Sequence, residues 1–292
     1  MTAIANMTSY YATRRLTGER IPLTESINRL KANGFTHIDL NLCGMAREGG
    51  IFTGDDWRET AIAAREEADR IGVRFVQSHT PFYPGRVVDP AKPEYNAFMA
   101  EMTMRSAEIN HICGVPVTVL HPMHTYGCSR ENTEAHLEGN RQYYGPLMDK
   151  LGEYGICAAF ENMISPANFG ATTTDLIAIT DYFADRDVGV CWDTGHGQLR
   201  HPDQCWAIAQ MKGRIRSVHI HDNWGKTDDH LLPFLGMIEW ERVMPALREA
   251  GYQGDLVLEV KHASMDDSLK DASTAWTAKV TTRLLELFHG DI

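Results

Sequence analysis

Two spacings of apolar residues alternate along the chain. Residues 4–9 read as a strand, and Leu23, Ile27 and Leu30 then recur at helical spacing up to a stop at Gly34. Residues 36–42 alternate, placing Ile38, Leu40 and Leu42 on one face and His37, Asp39 and Asn41 on the other. Trp57, Ala61, Ala64, Ala68 and Ile71 mark a second helix that Gly72 ends, and residues 73–78 predict the third strand. The unit recurs five more times. Helices over 94–113, 130–154 and 173–185 precede strands over 115–121, 156–161 and 188–193. A helix between Pro202 and Lys212 precedes 215–221, and one marked by Trp240, Val243, Met244 and Leu247 precedes 256–260. Trp276, Val280, Leu284 and Leu287 close the series.

Eight consecutive βα units in 292 residues match a parallel (β/α)8 barrel, a fold that takes about 250 residues. The expected fold class is α/β, a single barrel domain over residues 1–292. A doubly wound open sheet is the alternative. Against it, no Gly-x-Gly-x-x-Gly phosphate loop follows the first strand, and no Pro/Gly/Ser-rich linker divides the chain.

Composition narrows the partners. The chain is 43% hydrophobic, enough for a large core, and its formal charge of −11 argues against a nucleic-acid-binding surface, which ordinarily gathers Lys and Arg against phosphates. Residues 1–10 lack a basic segment followed by a long apolar one, and no apolar run approaches the ~20 residues of a membrane helix. A soluble, cytoplasmic protein without a membrane partner is expected. The six cysteines, Cys43, Cys113, Cys128, Cys157, Cys191 and Cys205, include no Cys-x-x-Cys pair. Free thiols are expected, with Cys157 and Cys191 as small core residues inside strands.

The strand ends are where chemistry enters. Asp39, His79, His121, Glu161, Asp193, His219 and Glu259 all stand at or near the ends of strand-like runs. Side chains alternate across a strand, so residues of the same parity as the terminal polar group point into the barrel. That set is Cys157, Ala159 and Glu161; Gly189, Cys191 and Asp193; Ser217, His219 and His221; Val257 and Glu259. Their apolar neighbours face the helices, and the C-terminal strand ends form the active-site rim of such a barrel. An isolated strand-end acid is ordinarily a cap or a solvated residue. Glu161, Asp193, His219 and Glu259 together, on four consecutive strands, would be costly without a cation between them. Oxygen and imidazole ligands without thiolate suit one divalent metal ion, Mn, Mg, Co or Zn. Two glutamates flanking a bound sugar supply a base and an acid, and a cation stabilises the enediolate formed when a proton leaves the carbon next to a carbonyl.

As a set, Phe160-Glu161-Asn162, Trp192-Asp193-Thr194-Gly195-His196, Val218-His219-Ile220-His221-Asp222 and Leu258-Glu259-Val260 resemble the motifs of the xylose isomerase-like TIM barrels. This superfamily holds sugar-phosphate isomerases and epimerases together with endonuclease IV, and the resemblance covers nearly the whole chain. It implies that Glu161, Asp193, His219 and Glu259 bind one divalent metal, as in the ketose 3-epimerases. It also implies that Glu161 and Glu259 are the catalytic pair in isomerisation or epimerisation of a keto sugar or sugar derivative. His219 matches the family ligand, leaving His221 as a substrate contact or a structural group.

His196 resembles the imidazole that touches substrate in the epimerases and binds a further metal in the nuclease. Ser78-His79, Leu120-His121-Pro122 and Asp228-Asp229-His230 resemble the additional ligands of the three-zinc endonuclease. The resemblance therefore makes His79, His121, His196, His221, Asp228 and His230 substrate-binding or additional metal residues, for up to three Zn. The alternative function it implies is a multi-zinc phosphodiesterase acting on abasic DNA, which the charge of −11 disfavours. Leu232-Pro233-Phe234-Leu235-Gly236 resembles a family turn that carries glycine where this chain has Phe234. Arg14 and Arg15 read as solvated rather than as a phosphate clamp. Association into a homo-oligomer is the remaining expectation.

Overall fold

The alternation read from the sequence is realised strand by strand. The computed structural model describes residues 2–14, 17–46, 50–261 and 265–291; Arg15 lies outside them. The strands are β1 Ile4–Met7, β2 His37–Asn41, β3 Arg74–His79, β4 Val117–Leu120, β5 Cys157–Glu161, β6 Val188–Asp193, β7 Ile215–His219 and β8 Leu256–Leu258. All neighbours pair in parallel in the order β7-β6-β5-β4-β3-β2-β1-β8. The two ends of that order meet through a parallel bridge between Ile220 and Leu258, with Ile220 N donating to Val257 O (2.7 Å) and Glu259 N to Ile220 O (3.0 Å). The result is a (β/α)8 barrel, as the spacing predicts.

The connecting helices are α1 Leu23–Ala32, α2 Trp57–Ile71, α3 Pro93–Cys113, α4 Thr133–Tyr154, α5 Thr173–Tyr182, α6 Thr194–Arg200, α7 Gln204–Gln210, α8 Trp240–Glu249 and α9 Asp267–His289. Several ends differ from the sequence reading, each for a local reason. β1 stops at Met7 because Thr8–Tyr11 turns into a 3-10 helix, and the Thr8 hydroxyl accepts from Asn41 N instead (3.1 Å). α4 starts at Thr133 rather than at residue 130, since the Asn132 side chain caps it on Ala135 N. The Thr194-Gly195 pair reads as a turn but opens α6, whose first turn is fixed by Asp193 Oδ1 accepting from His196 N at 2.7 Å. One residue thus ends a strand and caps a helix.

Parity holds. Phe160, Val190, Trp192, Val218, Ile220 and Leu258 lie in the apolar layer between strands and helices. Val119, Ala159 and Cys191 form a separate small cluster inside the barrel. Next to it is a polar layer. Gln77 Nε2 donates to Asp39 Oδ2 (2.9 Å), and the Ser217 hydroxyl donates to Gln77 Oε1 from across the barrel. All six cysteines are free thiols. Among the described residues no helix is long and apolar enough to cross a membrane.

Candidate metal centre

Ten polar side chains gather at the C-terminal rim. Glu161 ends β5, Asp193 ends β6 and His219 ends β7, while Glu259 follows β8 directly. His79 ends β3, His121 follows β4, and His196 lies in the first turn of α6. His221, Asp228 and His230 come from the segment between β7 and α8. The structure therefore brings together the ten residues expected as ligands or substrate contacts, while the strand-end Asp39 bonds Gln77 in the polar layer instead.

Glu161 is the hub. Its Oε2 lies 3.3 Å from His79 Nε2 and 3.1 Å from His121 Nε2, and its Oε1 lies 3.2 Å from His196 Nδ1 and 3.4 Å from His219 Nδ1. His219 Nδ1 is also 3.0 Å from Glu259 Oε2 and 3.8 Å from Asp193 Oδ2. His196 Nε2 and His230 Nε2 face Asp228 Oδ2 at 3.8 and 2.8 Å. Among the described residues, four groups have donor atoms close enough to share an ion: His79/His121/Glu161, Glu161/Asp193/His219/Glu259, Asp193/His196/His221 and His221/His230/Glu259.

The residues present fit a divalent cation. Both ring nitrogens of His219 are buried without a hydrogen bond, although three carboxylates surround Nδ1. His219 Nδ1 and these carboxylates face a common space without bonding one another, an arrangement that is costly unless something positive fills it. The histidine tautomers agree. His79 Nδ1 bonds Thr80 O (2.9 Å), His196 Nδ1 bonds Asn162 O (2.7 Å) and His230 Nδ1 bonds Glu259 O (2.7 Å). A carbonyl only accepts, so each Nδ1 carries a proton, and Nε2 is the nitrogen that faces the carboxylates and that a cation would take once its proton is released.

Charge explains the titration of the cluster. Burial would raise the Glu161 carboxyl, but the imidazoles of His219, His121 and His196 hold it well below the usual carboxylate range. Burial likewise opposes ionisation of Glu259 and Asp228, and the histidines facing them, His219 for Glu259 and His196 and His230 for Asp228, lower both. Burial opposes charge on His79, His196 and His219, yet each is raised well above the ordinary imidazole value. The causes are Cys43 and Glu161 for His79, Asp193, Asp228 and Glu161 for His196, and Cys191, Glu259 and Glu161 for His219. His121, facing His79 at 3.1 Å, is pushed down to about 4 by burial. Without a cation, protons on the histidines neutralise the carboxylates, and a cation taking their place has to release them.

Asn162, which the sequence reading gave no role, and His221, read there as a substrate contact or a structural group, fix this geometry. Asn162 Nδ2 donates to Asp193 O (2.9 Å) and its Oδ1 accepts from Asp193 N (2.6 Å), so the ends of β5 and β6 are clamped side by side. Its place in the Phe160-Glu161-Asn162 motif was the available signal. His221 Nε2 donates to Asp193 Oδ2 at 2.9 Å, which orients that carboxylate. Asp222 accepts from Phe234 N, Ile238 N and Trp240 Nε1 and folds the segment carrying Asp228 and His230. Phe234 takes φ +71°, a left-handed conformation suited to the glycine of the related turn, at a cost of about 1–2 kcal/mol. Arg86, also left-handed at φ +58°, is buried and donates through Nη1 to Pro122 O (3.0 Å) and Phe169 O (2.9 Å), tying together the loops after β3, β4 and β5. The Phe82 ring packs against His121 at a tilt of 32°, with ring centroids 4.2 Å apart. Arg14 is outside the cluster, paired with Glu25 at 3.0 Å.

With that geometry in view, residues 27–280 match the family model described as xylose isomerase-like TIM barrel. Over 99% of both chains the structure superposes on a D-tagatose 3-epimerase-like protein, with TM-score 0.74 and 21% identity. A D-psicose 3-epimerase crystallised in the presence of D-fructose gives TM-score 0.74 at 14% identity, over 97% of this chain and 99% of that one. The zinc-bound IolI protein gives 0.74 at 16% identity, over 98% and 99%. Two uncharacterized curated relatives match in part. One, from Sinorhizobium fredii, is 40% identical over 25% of this chain and 23% of its own length. The other, from Methanocaldococcus jannaschii, is 29% identical over 53% of each.

Proposed function

Because the chain belongs to the xylose isomerase-like TIM barrel family, we propose that it is a metal-dependent isomerase or epimerase of a keto sugar or sugar derivative. Glu161, Asp193, His219 and Glu259 hold the cation, and Glu161 and Glu259 exchange the substrate proton. The observation that carries this reading is His219 Nδ1, set among three carboxylates and bonded to none. When bound, the cation supplies electrostatic stabilisation of the enediolate oxygens. The chain's own groups do the rest. One glutamate takes the proton from the carbon next to the carbonyl, and the other returns a proton to that carbon or its neighbour. Burial of Glu161 and its hydrogen-bonding neighbours fix its orientation, whereas Glu259 keeps 21% of its side chain accessible. His196 and Asp228 offer polar contacts for sugar hydroxyls.

The resemblance of the fold to a D-tagatose 3-epimerase-like protein and a D-psicose 3-epimerase supports the substrate class. A specific observation favours a second reading. His79/His121/Glu161, Asp193/His196/His221 and His221/His230/Glu259 form further donor sets beside the four-residue group, as a multi-zinc phosphodiesterase acting on abasic DNA would need. Solvent-deuterium incorporation into a panel of ketoses, run beside cleavage of an abasic oligonucleotide, separates the two. Exchange into a ketose without cleavage supports the isomerase; cleavage without exchange refutes it.

A further inference from the structure

The opposite end of the barrel is not filled. A cavity of about 510 Å³ opens at the N-terminal ends of the strands, reaching inward past Val117, Cys157 and Val257 to Gln77. Barrels of this kind are ordinarily packed through their interior. Here Val117, Cys157 and Val257 on the cavity wall are short, and a register irregularity adds an arginine. Val190 pairs with Ile215 and Cys191 with Ser217, so Arg216 is an extra residue in β7. Its stem occupies the space a side chain at Gly189 would fill, and a Cβ there would overlap Arg216 Cγ.

The charges at this mouth run against those of the whole chain. The cavity wall includes Arg65, Arg74 and Arg216 against Asp69 and Asp255, in a protein of formal charge −11. Arg65 is committed to Asp69 (2.7 Å) and to Cys113 O (2.9 Å), and Asp255 accepts from Ala3 N (2.7 Å). Arg74 and Arg216 are exposed. Among the described residues neither forms an ion pair, whereas Arg14, Arg29, Arg58, Arg70, Arg105 and Arg141 elsewhere on the surface all do. Two guanidinium groups without an ion pair, Arg216 lying against the Cys157 thiol, stand at the entrance of a cavity walled by Val117, Cys157 and Val257 and form a recognition site for an anion with a hydrophobic body.

We propose that the N-terminal mouth of the barrel binds a small oxyanion on an apolar body, a carboxylate or phosphate monoester of about one aromatic ring. Arg74 and Arg216 hold the anion, and Val117, Cys157 and Val257 hold the body. The site is separate from the metal centre and does not depend on the reaction proposed for it. The full chain, stripped of metal by a chelator and dialysed, is titrated by calorimetry with benzoate, phenyl phosphate, benzyl alcohol and inorganic phosphate.

Saturable one-to-one binding of benzoate or phenyl phosphate is expected, with benzyl alcohol and inorganic phosphate at least about tenfold weaker. Benzoate against phenyl phosphate identifies the anion. Arg216→Met and Arg74→Met, both at exposed positions, should each weaken binding about tenfold with the thermal midpoint unchanged. Gly189→Ala, which displaces Arg216, should weaken it similarly. Absence of saturable heat with both aromatic anions overturns the proposal. So does binding that survives the arginine replacements, or binding lost only on replacing Glu161 at the other end of the barrel.

Discussion

His219 and Glu259 meet at 3.0 Å, imidazole Nδ1 to carboxylate Oε2, without a hydrogen bond between them. Both are held from behind, His219 by its place at the end of β7 and Glu259 by the bridge that closes the barrel. Their misalignment is therefore a property of the fold. A buried polar group left unsatisfied costs about 1–3 kcal/mol, which ion binding can recover.

Glu161 and Glu259 share one donor group with Asp193 and His219, and each belongs to one more, Glu161 with His79 and His121 and Glu259 with His221 and His230. Glu161→Gln and Glu259→Gln should each lower metal affinity by about 100-fold and turnover by about a thousandfold. Metal content after dialysis, measured beside activity, tests this. Full occupancy in both variants would contradict shared ligation.

Asn162→Ala removes both side-chain bonds to the Asp193 backbone. A loss of about 2–3 kcal/mol in urea unfolding is expected, with metal affinity down about tenfold or more. An unchanged affinity would mean that Asp193 is held without this clamp.

Much of this centre was readable from strand ends. Glu161, Asp193 and His219 occupy terminal inward positions because parity in a strand is fixed by its backbone, and the helix-facing residues beside them are apolar. The positions of His79 and His121 on their strands were legible for the same reason. Asp228 and His230 came only through motif resemblance, because the segment between β7 and α8 has no periodicity and is folded by Asp222 bonds made to residues up to 18 positions away. α6 was missed because Thr-Gly-His-Gly has low helix propensity, and what sets the helix is the Asp193 cap and the contact with His221. The polar layer of Asp39, Gln77 and Ser217 joins residues 140 positions apart, which no local pattern reveals.

Gly195→Ala sets two effects against each other. Helix propensity alone would favour alanine by about 1 kcal/mol. The added Cβ overlaps the His221 ring, however, and displaces the imidazole that orients Asp193. A net loss of about 1–2 kcal/mol is expected, with weakened metal binding. Thermal unfolding of metal-free protein checks the sign; a stabilised variant would show that His221 moves freely.

Asp39 has its carboxyl pushed up to about 6, first by burial, and its Oδ1 has no partner. The folded protein holds this proton more tightly than the unfolded chain does. The contribution to stability is complete below the ordinary value of 3.8 and is lost as the pH rises through about 6. In metal-free protein, Asp39→Asn should therefore gain on the native chain by about 3 kcal/mol between pH ~4 and pH ~7. Parallel stability–pH curves for the two proteins would contradict this.

Anomalous scattering from crystals of protein purified without added metal tests the centre most directly. One strong peak is expected about 2.1 Å from ligand atoms of Glu161, Asp193, His219 and Glu259 alike. Crystals grown with a divalent cation that show no peak among these four side chains would contradict it.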